Sequence, residues 1–177
     1  VTISGSNATY VPNVNFNGLD SFTFTVSDGT LTDEQTVSLT ITSVNDAPVL
    51  ATVSDVSFDE DGSDSLTLSS SDVDDGDSAI FSISSGTLIE SNLFGFTATF
   101  SAPQDYNGSE NFTITVTDSG GLTDSQIITV TINAVNDAPV AQSGLSGTTN
   151  EDESVSVLLS GSDVDGDVLT YSISSQT

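Results

Sequence analysis

The chain repeats itself, and the period of the repeat limits what it can fold into. Val-Asn-Asp-Ala-Pro-Val occurs at 44–49 and again at 135–140, 91 residues apart. Upstream, Asn17-Gly18 and a strand through Phe22, Phe24 and Val26 recur as Asn107-Gly108 and Phe112, Ile114 and Val116. Downstream, Glu60-Asp61 recurs as Glu151-Asp152, and Ser71-Asp72-Val73-Asp74 as Ser162-Asp163-Val164-Asp165. A unit of this length is too long for a solenoid repeat and suits one β-sandwich domain. Cut at the repeated string, the chain holds the last part of one unit (1–44), a complete unit (45–135) and the first part of a third (136–177). The ends fall inside units. Either the chain is a window on a longer array whose targeting signals lie elsewhere, or neighbouring copies complete each other's halves head to tail.

The local pattern is β throughout. Phe22, Phe24 and Val26 alternate with Thr23 and Thr25, and Val37, Leu39 and Ile41 with Ser38 and Thr40. Ile128, Val130 and Ile132 repeat the motif. Period-two alternation with Ser and Thr on the other face marks half-buried strands of antiparallel sheets. Leu66 and Leu68, Phe81 and Ile83, and the run Phe94, Phe96, Ala98 and Phe100 are expected to supply the remaining strands. Asn-Gly pairs, Asp28-Gly29 and Ser119-Gly120-Gly121 punctuate them as turns. With 35% hydrophobic residues and nine Phe the chain can build a core, which a disordered acidic chain could not. The expected fold is all-β: tandem sandwich domains of about 91 residues.

Composition excludes whole classes of function. There are 26 Asp plus Glu and no Lys, Arg, His, Cys, Met or Trp, for a formal charge of −26. Without cationic side chains the chain cannot cradle phosphate, bind nucleic acid or be drawn to anionic lipid. Without His or Cys it has no imidazole or thiolate chemistry and no zinc site of the usual kind. No apolar run approaches the roughly 20 residues that span a membrane, so membrane insertion is not expected. Carboxylates, hydroxyls and amides remain, and they suit a hard cation or a sugar.

The acid is clustered. Asp72, Asp74, Asp75 and Asp77 fall within six residues, and Asp163, Asp165 and Asp167 occupy the matching place. Asp59, Glu60 and Asp61 form a second cluster, matched by Glu151, Asp152 and Glu153, while Asp46 and Asp137 sit in the repeated linker. In extended backbone residues i and i+2 point the same way, so Asp72 and Asp74 are expected to converge while Val73 turns into the core. Nothing in the chain can neutralise such a pair except a bound metal ion. Many oxygen donors on loops favour Ca²⁺ over Mg²⁺ or a transition metal.

In this order, the Val-Asn-Asp-Ala-Pro linker, the acidic pair some 14 residues later and the Asp-x-Asp before a strand resemble cadherin repeats. The likeness is nearest to the bacterial cadherin-like tandem repeats of large secreted adhesins, and it covers the whole chain. The resemblance implies Greek-key β-sandwich domains, an extracellular or cell-surface setting, and Ca²⁺ held between successive domains. Carried over by motif, the second junction would use Glu60, Asp105, Asn107, Asn136, Asp137, Asp163 and Asp165. The earlier one would use Asn15, Asn17, Asn45, Asp46, Asp72 and Asp74, and Glu151 would serve a later one as the counterpart of Glu60. Departures from the family pattern imply fewer or weaker ions per junction: Ser43 and Ala134 stand where the family has an Asp. Its acidic triplet becomes Asn15-Phe16-Asn17 and Asp105-Tyr106-Asn107. Strand exchange is not implied, because in that family it relies on a Trp and the chain has none.

The leading expectation is therefore a calcium-stiffened stalk or filament segment supporting adhesion or a biofilm matrix. Its partners would be neighbouring repeats, with homotypic filament contacts as a further possibility. The alternative is a calcium-dependent carbohydrate-binding module, with Tyr10, Tyr106 and Tyr171 as candidate platforms and polysaccharide as partner. A glycosidase using paired carboxylates is disfavoured, since these crowd in loops rather than in a cleft, and no enzymatic activity is expected. The sequons at Asn7, Asn107 and Asn111 read as accidental.

Overall fold

The computed structural model describes residues 1–74, 76 and 78–175. Asp75 and Asp77, two members of the first Asp cluster, lie outside the described residues. In chain order the strands are β1 (Thr2–Ser4), β2 (Asn7–Thr9), β3 (Gly18–Ser27), β4 (Thr32–Ile41), β5 (Val49–Leu50), β6 (Val56–Asp59), β7 (Ser63–Thr67) and β8 (Ser70–Ser71). They continue as β9 (Ile80–Ile83), β10 (Glu90–Phe94), β11 (Thr97–Ser101), β12 (Gly108–Thr117), β13 (Thr123–Asn133), β14 (Val140–Ala141) and β15 (Gly161–Ser162). Among the described residues there is no helix. The fold is an all-β sandwich built from repeated domains.

Its core is made by two sheets, ordered β6-β13-β12-β9 and β10-β11-β7. Alternation places Phe112, Ile114 and Val116 of β12 and Ile128, Val130 and Ile132 of β13 inward, all at most 2% exposed. Phe100 of β11 meets Phe112 edge-to-face, ring centroids 5.2 Å apart, a geometry aromatic quadrupoles favour. β6 joins β13 in parallel through Val130↔Val56 to Asn133↔Asp59, which carries the chain after Asp59 alongside the start of the second linker.

The 91-residue period returns in the backbone. The ladder of β5 with β8 (Val49↔Ser71, Leu50↔Ser70) is copied by β14 with β15 (Val140↔Ser162, Ala141↔Gly161). Hairpin β1–β2 is copied by β10–β11, each turning on a glycine with φ of 60° (Gly5 and Gly95). Left-handed φ at non-glycine residues recurs in pairs too: Asn15 (59°) with Asp105 (54°), and Asp61 (61°) with Asp152 (66°). Asp and Asn tolerate that conformation best among residues with a side chain.

Chain contacts divide the protein into two compact units. One comprises Val1–Thr52, Leu68–Ser82 and Thr115–Gln126; the other comprises Val53–Thr67, Ile83–Ile114 and Ile127–Thr177. In the first, β3 and β4 pair over ten residues from Gly18↔Ile41 to Ser27↔Thr32. Phe24 and Val26 there are 36% and 61% exposed, whereas Ile114 and Val116, at the matching places, are fully buried. The difference is that, among the described residues, β3–β4 stands as a two-stranded sheet with no third strand.

Two sequence expectations are corrected. Phe94 and Phe96 do not extend an inward-facing strand with Ala98 and Phe100: Gly95 reverses the chain between them, leaving them 89% and 58% exposed. Val73 does not enter the core either. It is 50% exposed, because Asp74 N–H donates to Asp72 Oδ1 (2.9 Å) and bends the segment instead of extending it.

Candidate metal centre

The second linker is held by carboxylates at two of its backbone N–H groups. The parallel pairing of β6 with β13 sets Glu60 beside the linker's first residues. Glu60 N–H donates to the Asn133 carbonyl (2.9 Å), and Val135 N–H donates to Glu60 Oε1 (2.5 Å). Glu60 is 7% exposed, so this charged acceptor is largely withdrawn from water. Farther along, the β14–β15 ladder extends its register by three residues: Val140 pairs with Ser162, and Asp137 N–H donates to Asp165 Oδ2 (2.7 Å).

These two anchors bring three carboxylates together. Glu60, Asp137 and Asp165 each offer an oxygen, all within 4.8 Å of one another. A second group shares one member: Asp61, Asp105 and Asp137 offer oxygens equally close. Asp105 arrives there because its turn, closed by Tyr106 N–H to the Pro103 carbonyl (3.3 Å), lets its own N–H donate to Asp61 Oδ1 (3.1 Å). Asp137 thus faces four other carboxylates. Loss of hydration, then the charges of Asp105, Asp165, Asp61 and Glu60, raise its pKa above the ordinary carboxylate value.

The donor set can be set against cation type. Every donor gathered here is a carboxylate oxygen, the chemistry of a hard cation rather than of a soft transition metal. Ca²⁺ accepts such donors in flexible geometry, whereas Mg²⁺ demands a near-ideal octahedron.

The other expected ligands divide. Asp163 forms an Asx bend, its Oδ1 accepting Asp165 N–H (3.0 Å) and Asp167 N–H (3.4 Å), and it is not a member of either carboxylate group. Asn136 donates through Nδ2 to the Asp137 carbonyl (3.0 Å), and Asn107 is exposed next to the turn that carries Asp105. Glu151 is exposed and joins neither carboxylate group. Asp61, in contrast, takes a place that only its neighbour Glu60 was expected to fill. The recurrence of Glu-Asp at 60–61 and 151–152 was the available signal.

The first unit holds a poorer version of the same arrangement. The β5–β8 ladder, extended by three residues, puts Asp46 N–H on Asp74 Oδ2 (2.7 Å). Asn15 turns with φ of 59° as Asp105 does, with Phe16 N–H on the Asn13 carbonyl (3.2 Å). Asn15, Asn17, Asn45 and Asp74 line an open cavity of about 500 Å³, and Asn15, Asp46 and Asp72 line another of about 510 Å³. Asp72 Oδ2 is buried and has no hydrogen-bond partner. Here Asn15 supplies an amide where Asp105 supplies a carboxylate, and among the described residues of this unit no three carboxylates gather.

Sequence reasoning missed Asp118. It is 4% exposed; Oδ1 accepts Leu122 N–H (2.8 Å) and Oδ2 accepts Asn45 Nδ2–H (2.8 Å). Asn45 lies against Gly120, where a Cβ would collide with its amide. The turn Asp28, whose Oδ1 accepts Thr30 and Leu31 N–H (2.8 Å each), recurs 90 residues earlier, and that recurrence was legible.

The family profile described as a bacterial Ig domain matches residues 1–40, 45–131 and 136–177. The chain belongs to the bacterial Ig domain family. Among solved structures it is similar to protocadherin gamma B7, extracellular cadherin domains 1–4. The match has 20% identity and a TM-score of 0.51, covering 83% of this chain and 41% of that one. That likeness is one of fold. A search of curated proteins returns no match. A bacterial Ig domain of this kind is a structural repeat of a surface protein.

Proposed function

We propose that the chain is a calcium-stabilised stalk or filament segment of a bacterial cell-surface or secreted adhesin. It is divided into repeats at 1–44, 45–135 and 136–177, with neighbouring repeats as its partners. The observation that carries this reading is the pair of carboxylate groups sharing Asp137. Glu60, Asp61 and Asp105 come from the chain before the linker, Asp137 from the linker and Asp165 from the chain after it. Cations bound in the two groups stabilise the arrangement in which these residues converge over any in which they separate. When bound, calcium would supply the positive charge that 26 acidic residues otherwise lack. Glu60, Asp61, Asp105, Asp137 and Asp165 would hold it in the second unit; Asp46, Asp72 and Asp74, with the Asn15 amide, would hold a weaker one in the first. Calcium-rich extracellular media match the weak affinity typical of such modules, Kd about 10⁻⁴ to 10⁻³ M. Glu60, Asp61 and Asp165 each anchor a backbone N–H, an arrangement that suits structure.

Thermal unfolding of this chain in EGTA, in millimolar CaCl₂ and in millimolar MgCl₂ tests the reading. A rise in melting temperature specific to calcium is expected. Equal curves in all three buffers would reduce the acidic groups to solvation and anchoring.

A further inference from the structure

We propose that the outer face of hairpin β10–β11, closed on one side by the loop Ser84–Ile89, is a binding groove for a neutral polysaccharide with Phe94 as its aromatic platform. The groove is open, about 720 Å³, with Gly86, Thr87, Glu90, Asn92, Phe94 and Thr99 among its walls. This site is separate from the carboxylate groups and does not rest on the calcium reading.

The face is defined by the pleat. Ala98 and Phe100 of β11 are fully buried, so Thr97, Thr99 and Ser101 point the other way. Their cross-strand partners are Phe94, Asn92 and Glu90. The result is a row of hydroxyl, amide and carboxylate groups ending in one phenyl ring. Phe94 is 89% exposed, the most exposed of the nine Phe. Folding does not call for it. In the equivalent hairpin β1–β2 the same place, before a glycine of the same φ, is held by Ser4. An aromatic ring left in water beside polar hydrogen-bonding groups matches a pyranose, whose C–H face packs on the ring while its hydroxyls reach the neighbours.

The wall facing this row is already ordered. Glu110 accepts Thr87 N–H (2.7 Å) and Leu88 N–H (2.9 Å), and Ser91 Oγ–H donates to the Ser84 carbonyl (3.0 Å). Thr113 N–H donates to Ser84 Oγ (2.9 Å). A Cβ at Gly86 would run into the Ile89 carbonyl and the Phe112 ring, so the loop seats closely on the core. A preformed wall spares a ligand the entropy of ordering it. Charge selects the ligand class. With a net charge of −26 and no cation, the chain repels anionic polymers, anionic lipid and a second copy of itself, but not an uncharged glycan. Glu90, the one charge in the row, serves as an acceptor for hydroxyls.

Native affinity electrophoresis of the whole chain in millimolar CaCl₂ tests this. The gels carry laminarin, xyloglucan, arabinoxylan or dextran, with alginate as the anionic control. Slowed migration is expected in at least one neutral gel. Phe94→Ala should weaken it about tenfold, the effect of losing one aromatic stack, and Asn92→Ala should weaken it too. Both residues are exposed, so the variants should melt with the parent, and Tyr171→Ala should bind as the parent does. Unslowed migration in all four neutral gels overturns the proposal. So does slowing that survives both Phe94→Ala and Asn92→Ala, or slowing by alginate as strong as by any neutral polymer.

Discussion

Replacing Asp137 by Asn should change the sign of its effect with calcium. The substitution keeps the side chain's shape and leaves the backbone bond from residue 137 N–H to Asp165 Oδ2 intact. It removes one charge from a place where loss of hydration and four neighbouring carboxylates raise the pKa. A carboxyl whose folded pKa is raised contributes stability below its ordinary, unfolded value, and that contribution is lost as pH rises through the raised one. At neutral pH the ion-free chain bears the full penalty, so Asp137→Asn should melt higher than the parent in EGTA. With calcium the order should invert. One cation at a hundredfold excess over its Kd, which for the affinity proposed above means about 10–100 mM CaCl₂, adds about 2.7 kcal/mol, and in a chain of this length each kcal/mol is worth roughly 2–4 °C. Each carboxylate group should therefore give the parent a calcium rise of roughly 5–10 °C, and two groups about twice that. Because Asp137 belongs to both groups, Asp137→Asn should lose nearly the whole second-unit rise. Glu60→Gln and Asp61→Asn should each lose about half of it, since each touches one group. Differential scanning calorimetry in EGTA and in CaCl₂ at pH 7 reads all four proteins. An Asp137→Asn variant that melts below the parent in EGTA, or keeps the parent's calcium rise, would refute the reasoning.

Glu110 should behave in the opposite sense to Asp137. The Thr87 N–H bond, first, and those of Leu88 and Ile89 lower its pKa, so its contribution is present above the ordinary Glu value and lost as pH falls through the lowered one. Glu110→Gln should cost about 1 kcal/mol at neutral pH and flatten the acid limb of a melting-temperature profile run from pH 7 to pH 3. Phe112→Ala should cost roughly 3–5 kcal/mol in urea unfolding, because the ring is fully buried against Phe100. Asp118→Ala should cost about 2 kcal/mol, leaving Leu122 N–H and Asn45 Nδ2–H without their acceptor, while Asp118→Asn should recover part of that loss in the same assay.

The fold was legible because its signal is written more than once. Phe112, Ile114 and Val116 are recognisable as inward residues from their alternation alone, and the copy at Phe22, Phe24 and Val26 doubles the evidence. Alternation failed where one residue reversed the chain. Phe94-Gly95-Phe96 has the spacing of a strand, and only the left-handed φ of Gly95 turns it into a hairpin tip. It failed again at Asp72-Val73-Asp74, where a side chain competes for the backbone and replaces the extended form by a bend. Motif matching found Glu60, Asp105, Asp137 and Asp165, which converge. It also named Asp163, whose Oδ1 is engaged in the local turn, and Glu151, which stays exposed; neither belongs to the two carboxylate groups. Spacing cannot separate a carboxylate that caps its own loop from one that faces outward; hydrogen bonding decides that.

The anchoring bonds also bear on how calcium would act. Glu60 accepts Val135 N–H, Asp165 accepts Asp137 N–H and Asp61 accepts Asp105 N–H. Each uses one carboxylate oxygen for the backbone, and each residue belongs to a cation group as well. Local hydrogen bonds thus hold the carboxylates together against their mutual repulsion, and loss of hydration, then the repulsion that remains, raises the pKa of Asp137. Donors gathered in this way need little rearrangement to meet an ion, so little of the binding energy goes into ordering loops. It goes into relieving repulsion and into fixing the linker relative to the strands that flank it. On the proposed reading, calcium would change how firmly the second unit holds together far more than it would change that unit's fold.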